Sequence, residues 1–260
     1  MRKLLIVAAV GLIATPAFSA DMAVKAPPPP PAPVSNWTGF YIGGHIGYGW
    51  EHVNTNTFND TGALVDTTSS DRRGPFGGGQ AGFNWMFAPT WVLGVEGDIS
   101  AADIHGDTFN CAATGCASST NKGSELASVR GRLGYVANNT LMIYGTGGWG
   151  WSHSSSDRTV VCVVAGGGVC PGGPSPSPLT GMSAIASGSQ GGWTAGGGLE
   201  WMFAPHWTAK VEYLHYQFND IQRNFSYPGF PTAFRHNVSD ASLNTVRVGV
   251  NYLFNFGPGP

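Results

Sequence analysis

Eight segments of the chain alternate apolar with polar residues, and this period of two constrains the fold more than any other feature. In residues 243–254, for example, Val246, Val248 and Val250 alternate with Arg247 and Gly249. Alternation over about ten residues is typical of a β-strand with two unlike faces, and it is also the length with which a tilted strand crosses a bilayer. The predicted strands are 38–50, 77–88, 90–100, 124–137, 140–152, 191–204, 206–218 and 242–254.

The links between these segments are sorted by length. Those around Ala88, Asn138 and Ala204 are turns of a few residues, whereas the others are long, polar and rich in Gly, Ser, Thr and Asn. Because short and long links alternate, every long loop is expected at one end of the sheet, which is the asymmetry of an outer-membrane barrel. The predicted long loops are 51–76, 101–123, 153–190 and 219–241.

An internal repeat divides the segments into two sets of four. Residues 85–89 (WMFAP) recur at 201–205, and the Val-Glu pair at 95–96 recurs at 211–212. Two separate four-stranded domains are disfavoured, because each would leave exposed strand edges. The sequence therefore predicts an all-β fold, an eight-stranded antiparallel up-and-down transmembrane β-barrel with a four-plus-four internal repeat. A soluble β protein with solvated strand faces is the alternative interpretation.

The composition excludes two other classes of protein. The chain has 39 glycines and only 11% charged residues, against about 25% charged in soluble domains, and such a composition makes poor helices. Its 13 basic residues face 15 acidic ones, so there is no cationic excess with which to bind nucleic acid.

The two ends of the chain are predicted to lie outside the barrel. Arg2 and Lys3 precede an apolar run and then small residues, which predicts a signal peptide over 1–20 with cleavage after Ser19 or Ala20. The proline-rich residues 21–36 are predicted to form a semi-rigid periplasmic spacer and are a candidate for contact with peptidoglycan. The barrel is predicted over 37–256, followed by a tail over 257–260.

The charged residues of the strands are predicted to face the lumen. The opposite assignment would place Arg132 and Arg247 in lipid, at about 2–4 kcal/mol each near the midplane. An eight-stranded barrel is filled by its own side chains, and because both signs of charge are present they can form a paired network. Besides Asn84, the predicted network is Glu96, Asp98, Arg130, Arg132, Glu200, Lys210, Glu212 and Arg247.

Motifs for catalysis and cofactor binding are not supported by their context. The GxGxxG patterns at 77–82 and 145–150 lie within predicted strands with no helix after them, whereas a dinucleotide site needs a following helix. Asp98, His215 and the nearby serines lack a recognisable catalytic spacing. We therefore predict no enzymatic activity, no cofactor and no metal site.

The four cysteines fall in two predicted long loops of an oxidising compartment. We predict two local disulfides, Cys111–Cys116 and Cys162–Cys170, although three connectivities are possible for four cysteines. Zinc is disfavoured because these spacings do not match the usual ligand spacings.

Three segments carry a resemblance to a known family: WTGFYIGGHIGYGW at 37–50, VEYLHY at 211–216 and VRVGVNYLF at 246–254. Together with the predicted signal and spacer, they resemble the small outer-membrane β-barrels of alphaproteobacteria, called porin-family or outer-membrane immunogenic proteins. More distantly, they resemble the transmembrane barrel of outer membrane protein A. Members of the family end on an aromatic residue read by the barrel-assembly machinery, and here that signal falls on Tyr252, Phe254 and Phe256.

The resemblance implies a location in the cell outer membrane, in contact with its lipid. We predict a structural barrel that supports envelope integrity and presents surface loops. One alternative is a narrow porin-like channel for small solutes. Another is a haem- or host-binding surface protein, because some members bind haem and four histidines fall in or beside the long loops. These histidines are His52, His105, His153 and His236.

Overall fold

The computed structural model describes residues 36–58, 62–104, 108–112, 115–163, 183–227 and 230–255. The predicted signal peptide, tail and all but one residue of the spacer lie outside these ranges. Within them, no helix is long and apolar enough to cross a membrane. The strands are β1 (Gly39–Phe58), β2 (Leu64–Ala88), β3 (Trp91–Ala102), β4 (Thr108–Ala112), β5 (Gly115–Asn138), β6 (Leu141–Val163), β7 (Ser183–Ala204), β8 (Trp207–Tyr227) and β9 (Phe230–Asn255).

Eight of these strands close into a ring. Strand β1 pairs with both β2 and β9, so the first and last strands of the chain are neighbours. Strand β3 pairs with β2 and with β5, and the remaining neighbours follow in chain order, all antiparallel. The short β4 pairs with the beginning of β5 beside the ring. The predicted eight-stranded antiparallel up-and-down barrel is therefore confirmed.

The long links are largely strands rather than loops. Strands β1 and β2 remain paired as far as Phe58 and Leu64, and β8 and β9 as far as Tyr227 and Phe230. Among the described residues, the prediction that 51–76, 101–123, 153–190 and 219–241 are loops holds only for 62–63 and 103–104 and was wrong for the rest. Beyond the bilayer the outward face of a strand meets water rather than lipid, so it need not be apolar and the period of two is lost.

The outer surface of the ring is apolar and carries two belts of exposed aromatic side chains. Near the short turns lie Phe87, Trp91, Tyr135, Phe203, Trp207 and Phe254, which we call the turn-side belt. Near the long hairpins lie Tyr48, Trp50, Trp149, Trp151 and Trp193, which we call the hairpin-side belt. Aromatic belts of this kind mark the two interfaces of a bilayer. We take the stretch of each strand between the belts as its membrane-spanning part.

Candidate functional site

The lumen of the barrel is filled with side chains, and the eight ionisable residues predicted to face inward all lie there. The most exposed of the eight is Asp98, at 7% of its surface. They reach the lumen because successive side chains of a strand point to opposite faces. On β9, for example, Arg247 is buried while its neighbours Val246 and Val248 are exposed.

Two glutamates and two arginines form a crossed quartet at the centre. Arg130 donates to Glu96 at 2.5 Å and to Glu212 at 3.1 Å. Arg247 donates to Glu212 through Nε at 2.5 Å and to Glu96 at 3.1 Å. Each guanidinium therefore bridges both carboxylates, so strands β3, β5, β8 and β9 are tied together across the lumen.

The remaining charges extend the quartet into one neutral layer. Asp98 accepts from Arg130 at 2.8 Å and pairs with Arg247 at 3.1 Å. Lys210 donates to both oxygens of Glu96, at 2.9 and 2.7 Å. Arg132 pairs with Glu200 and lies 3.5 Å from Glu96. Four cations thus face four carboxylates, and this balance offsets the several kcal/mol that each buried ion loses in desolvation.

Two tyrosines belong to the same layer, and sequence reasoning missed both. Tyr41 donates its hydroxyl proton to Glu96 at 2.7 Å and accepts from Arg132 at 3.0 Å. Tyr144 donates to Glu212 at 3.0 Å, and the Arg132 guanidinium lies 4.3 Å from the centre of its ring. Both tyrosines fall on inward positions in the alternation of their strands, and this alternation was the signal available in the sequence. In a barrel with an apolar exterior, however, an aromatic residue is equally compatible with a position that faces lipid.

A chain of neutral polar side chains continues from Glu200 toward β1. Asn251 donates to Glu200 at 3.0 Å and accepts from Gln80 at 2.5 Å. Gln80 in turn contacts the buried His45 ring at 2.9 Å, and the other ring nitrogen of His45 lies 2.7 Å from Ser100 Oγ. These hydrogen bonds satisfy polar groups that would otherwise be buried at a cost.

Apolar side chains close the lumen on both sides of the ionic layer. The cluster on the hairpin side is Val53, Phe76, Ala102, Ile104, Leu126, Leu214, Tyr216, Phe218, Ala241 and Leu243. The cluster on the turn side is Trp37, Tyr41, Met86, Val92, Val136, Met142, Tyr144, Met202 and Leu253. A solute crossing the barrel would therefore have to pass two packed apolar layers as well as the ion pairs.

Three of the four cysteines that form the predicted disulfides lie in strands, Cys111 in β4, Cys116 in β5 and Cys162 in β6. Along the backbone, Cys116 is opposite Cys111 on one side and opposite Cys162 on the other. The side chains of these three cysteines, and the whole of Cys170, are not among the described parts of the chain. Both disulfides remain predictions.

The predicted assembly signal lies partly within the described residues. The Tyr252 ring packs against Trp207 at 5.2 Å and against Phe254 at 4.9 Å, with Phe254 exposed on the outer surface. Phe256 is not described. Tyr252 thus packs between two members of the turn-side belt, Trp207 and Phe254, and the role of these residues in assembly remains a prediction.

The four histidines predicted for haem are not brought together in the described residues. His52 contacts Asp71 at 2.6 Å and His153 contacts Ser189 at 2.8 Å, so each is held by its neighbouring strand. His105 and the side chain of His236 are not described. In the described ranges, no three His, Cys, Asp or Glu side chains are grouped so that they could hold a metal ion.

The hydrogen bond from His52 to Asp71 raises the pKa of His52 above its ordinary value of 6.5. Because the folded pKa is raised, this contact favours the folded hairpin below the unfolded pKa and is lost as the pH rises through the folded pKa. We expect an NMR titration of the intact protein to show a higher midpoint for His52 than in the Asp71→Asn variant. Equal midpoints in the two proteins would contradict the contact.

The chain is similar to several known proteins. A family model for the outer membrane protein β-barrel domain matches residues 5–254. The 31 kDa outer-membrane immunogenic protein of Brucella melitensis is 30% identical, over 98% of this chain and 100% of that protein. The 25 kDa outer-membrane immunogenic protein of Brucella canis is 29% identical, over 98% and 99%. The crystal structure of Ail, the attachment invasion locus protein of Yersinia pestis, is 16% identical over 81% of this chain and 99% of that one, with a TM-score of 0.38.

Proposed function

Because the chain belongs to the outer membrane protein β-barrel family and lies in the outer membrane, we propose that it is a structural barrel with a closed lumen. It supports the integrity of the envelope and presents its long hairpins at the cell surface. The partners that this role requires are outer-membrane lipid and the barrel-assembly machinery. Contact of the N-terminal arm with peptidoglycan would add to the same role.

The closed lumen is the observation that supports this proposal. A conducting path would need the quartet to open, which leaves buried ions without partners at a cost of several kcal/mol each. It would also need both apolar layers to admit water. The narrow-channel alternative is therefore not favoured by the side chains that fill the barrel.

The same geometry favours a role without catalysis. Asp98 is buried in the lumen, whereas His215 lies on the outer face of β8 beside Asn244. The two residues singled out for a possible catalytic pair thus point to opposite sides of the barrel wall. The surface hairpins are the part of the molecule available to host ligands.

We expect the purified protein to give no stable conductance steps in planar bilayers. Correct folding should be shown on the same sample by heat-modifiability, in which the unboiled barrel runs faster than the boiled chain on a detergent gel. The Phe76→Ala variant removes a side chain of the hairpin-side cluster. Its lumen should also stay closed, because the turn-side cluster is intact. Steady, ion-selective openings of the folded wild-type protein would overturn the proposal and support the channel alternative.

A further inference from the structure

A polar cluster lies on the outer face of the barrel, where the wall is otherwise apolar. Tyr213 donates its hydroxyl proton to Asn244 Oδ1 at 2.7 Å, and His215 Nδ1 donates to the same oxygen at 2.8 Å. The His215 ring packs against Trp193 with ring centres 5.3 Å apart. We call these four residues the outer cluster.

The outer cluster lies at the level of the hairpin-side belt. Asn244 comes ten residues before Phe254 on β9, and Trp193 comes ten residues before Phe203 on β7. At about 3.3 Å per residue and a tilt of about 40°, that is about 25 Å above the turn-side belt. An apolar band is about 25 Å tall, so the cluster sits at the interface of the outer leaflet.

The outer cluster has hydrogen-bonding capacity that the protein does not use. Within the described residues, Asn244 Nδ2, His215 Nε2 and Trp193 Nε1 have no hydrogen-bond partner in the chain. Polar groups at the edge of a hydrocarbon layer are costly unless something there binds them. These three groups are therefore available to a polar ligand group at this level.

An apolar trough lies on the same strands, toward the turns. Its volume is about 990 Å³, and it is open along the outer surface of the barrel rather than enclosed. One wall carries Ile46, Val248, Val211 and Leu199, which are paired in one row across the sheet, and the next outward row carries Gly44, Val250, Ala209 and Trp201. The small side chains of that second row deepen the trough.

The trough and the outer cluster are continuous along two strands. Val211 lines the trough, and Tyr213 is the next outward residue on β8. On β9, Val248 lines the trough and Asn244 lies two outward positions further on. Outward positions are about 7 Å apart along a strand, so one amphiphilic molecule can span both features.

We propose that this face binds a glycolipid of the outer leaflet, with an acyl chain in the trough and a sugar ring at the outer cluster. Within the outer cluster the chemistry favours a sugar over a phosphate, because no Lys or Arg faces outward between Trp193 and Phe203, between Trp207 and Gln217, or between Asn244 and Phe254. The exposed Arg73 of β2 lies in the same row as Asn244 but is separated from it by Trp50 of β1. Amide, imidazole and indole groups can instead bond hydroxyl and amide groups, while the Trp193 ring offers an apolar face. The site is independent of whether the lumen conducts.

Native mass spectrometry of the detergent-solubilised barrel tests this site. The probes are an acylated glucosamine disaccharide lipid and a phosphatidylethanolamine with the same acyl chains. We expect the wild-type protein to retain the sugar lipid at least tenfold more tightly than the phospholipid. Asn244→Leu should abolish that preference while leaving phospholipid binding unchanged.

The trough is tested separately by filling it. Ala209→Trp should weaken binding of the sugar lipid about tenfold, whereas Ala127→Trp, on the outer face of the distant β5, should not. If the Ala209→Trp protein is not heat-modifiable, and so has not folded, the Val248→Phe variant is used to fill the trough instead. Equal retention of both lipids by the wild-type protein, or equal effects of the trough variants and Ala127→Trp, would overturn the proposal.

Discussion

Replacing Glu96 by Ala is expected to lower the free energy of unfolding by about 3–5 kcal/mol, as for the loss of one partner of a buried ion pair. Its carboxylate accepts or pairs with four cations, Arg130, Arg132, Lys210 and Arg247. Removing it leaves an excess positive charge where water cannot reach. Urea unfolding in lipid vesicles, followed by heat-modifiability on gels, measures the loss.

Glu125→Ala is the matched control, because Glu125 is exposed on β5 outside the lumen. Surface substitutions of this kind change stability by about 0.5 kcal/mol or less. The double variant Glu96→Met with Lys210→Met should recover part of the loss, because one excess cation is removed and the volume is refilled. If Glu96→Ala and Glu125→Ala cost the same, the ionic layer does not stabilise the barrel.

Replacing Gly78 by Val is expected to destabilise the barrel by about 3 kcal/mol or more, beyond the usual cost of overpacking. A Cβ at Gly78 would lie 1.9 Å from the carbonyl oxygen of Ile99 and 2.7 Å from the Cα of Ser100. Both atoms are backbone of β3, so the clash cannot be relieved by a side-chain rotation. The β2–β3 pairing must shift, which we expect to appear as loss of the fast-running folded band.

Gly79→Val tests the same chemical change one residue later. A Cβ at Gly79 points outward, and its nearest contact is the carbonyl oxygen of Gly43 at 3.7 Å, an ordinary van der Waals distance. The free energy of unfolding of this variant should therefore lie within about 1 kcal/mol of the wild-type value. Similar losses for the two valines would contradict this account, and a larger loss for Gly79→Val would mean that the inward and outward faces of β2 are exchanged.

The inward orientation of the lumen charges could be predicted from the sequence, because a side chain of a strand points to one of only two faces. Arg247 between two valines must face either lipid or the interior, and lipid costs about 2–4 kcal/mol. The ion-pair partners of each charge could not be predicted from the sequence. Arg130 reaches Glu212 on β8, and this contact depends on the stagger of the ring, which no local pattern encodes.

Other features left no local signal at all. The strands continue beyond the bilayer through residues such as Thr55, whose hydroxyl bonds Ser239 of β9 at 2.9 Å, in a stretch with no apolar face. The trough depends on Gly44 and Ala209, which lie on either side of Val250 in one row only because of the register of β1, β9 and β8. Pairing between the ends of the chain therefore creates sites that a strand-by-strand reading cannot find.

The quartet also bears on the repeat in the sequence. In the predicted four-plus-four repeat, Glu96 matches Glu212 and Arg130 matches Arg247. These four residues meet at the centre of the lumen, where each arginine bridges both glutamates. Each arginine therefore pairs with one glutamate from its own half of the predicted repeat and one from the other half, so the quartet ties the two halves together.

The most direct test is spin-label scanning along residues 243–254 of the protein in lipid vesicles. Labels at Val246, Val248 and Val250 should be accessible to dissolved oxygen and shielded from a polar nickel reagent, whereas labels at Thr245 and Gly249 should be shielded from both. That period of two, with even positions in lipid, is the expected result. Odd positions open to oxygen, or both sets open to the polar reagent, would contradict a closed barrel with an ionic interior.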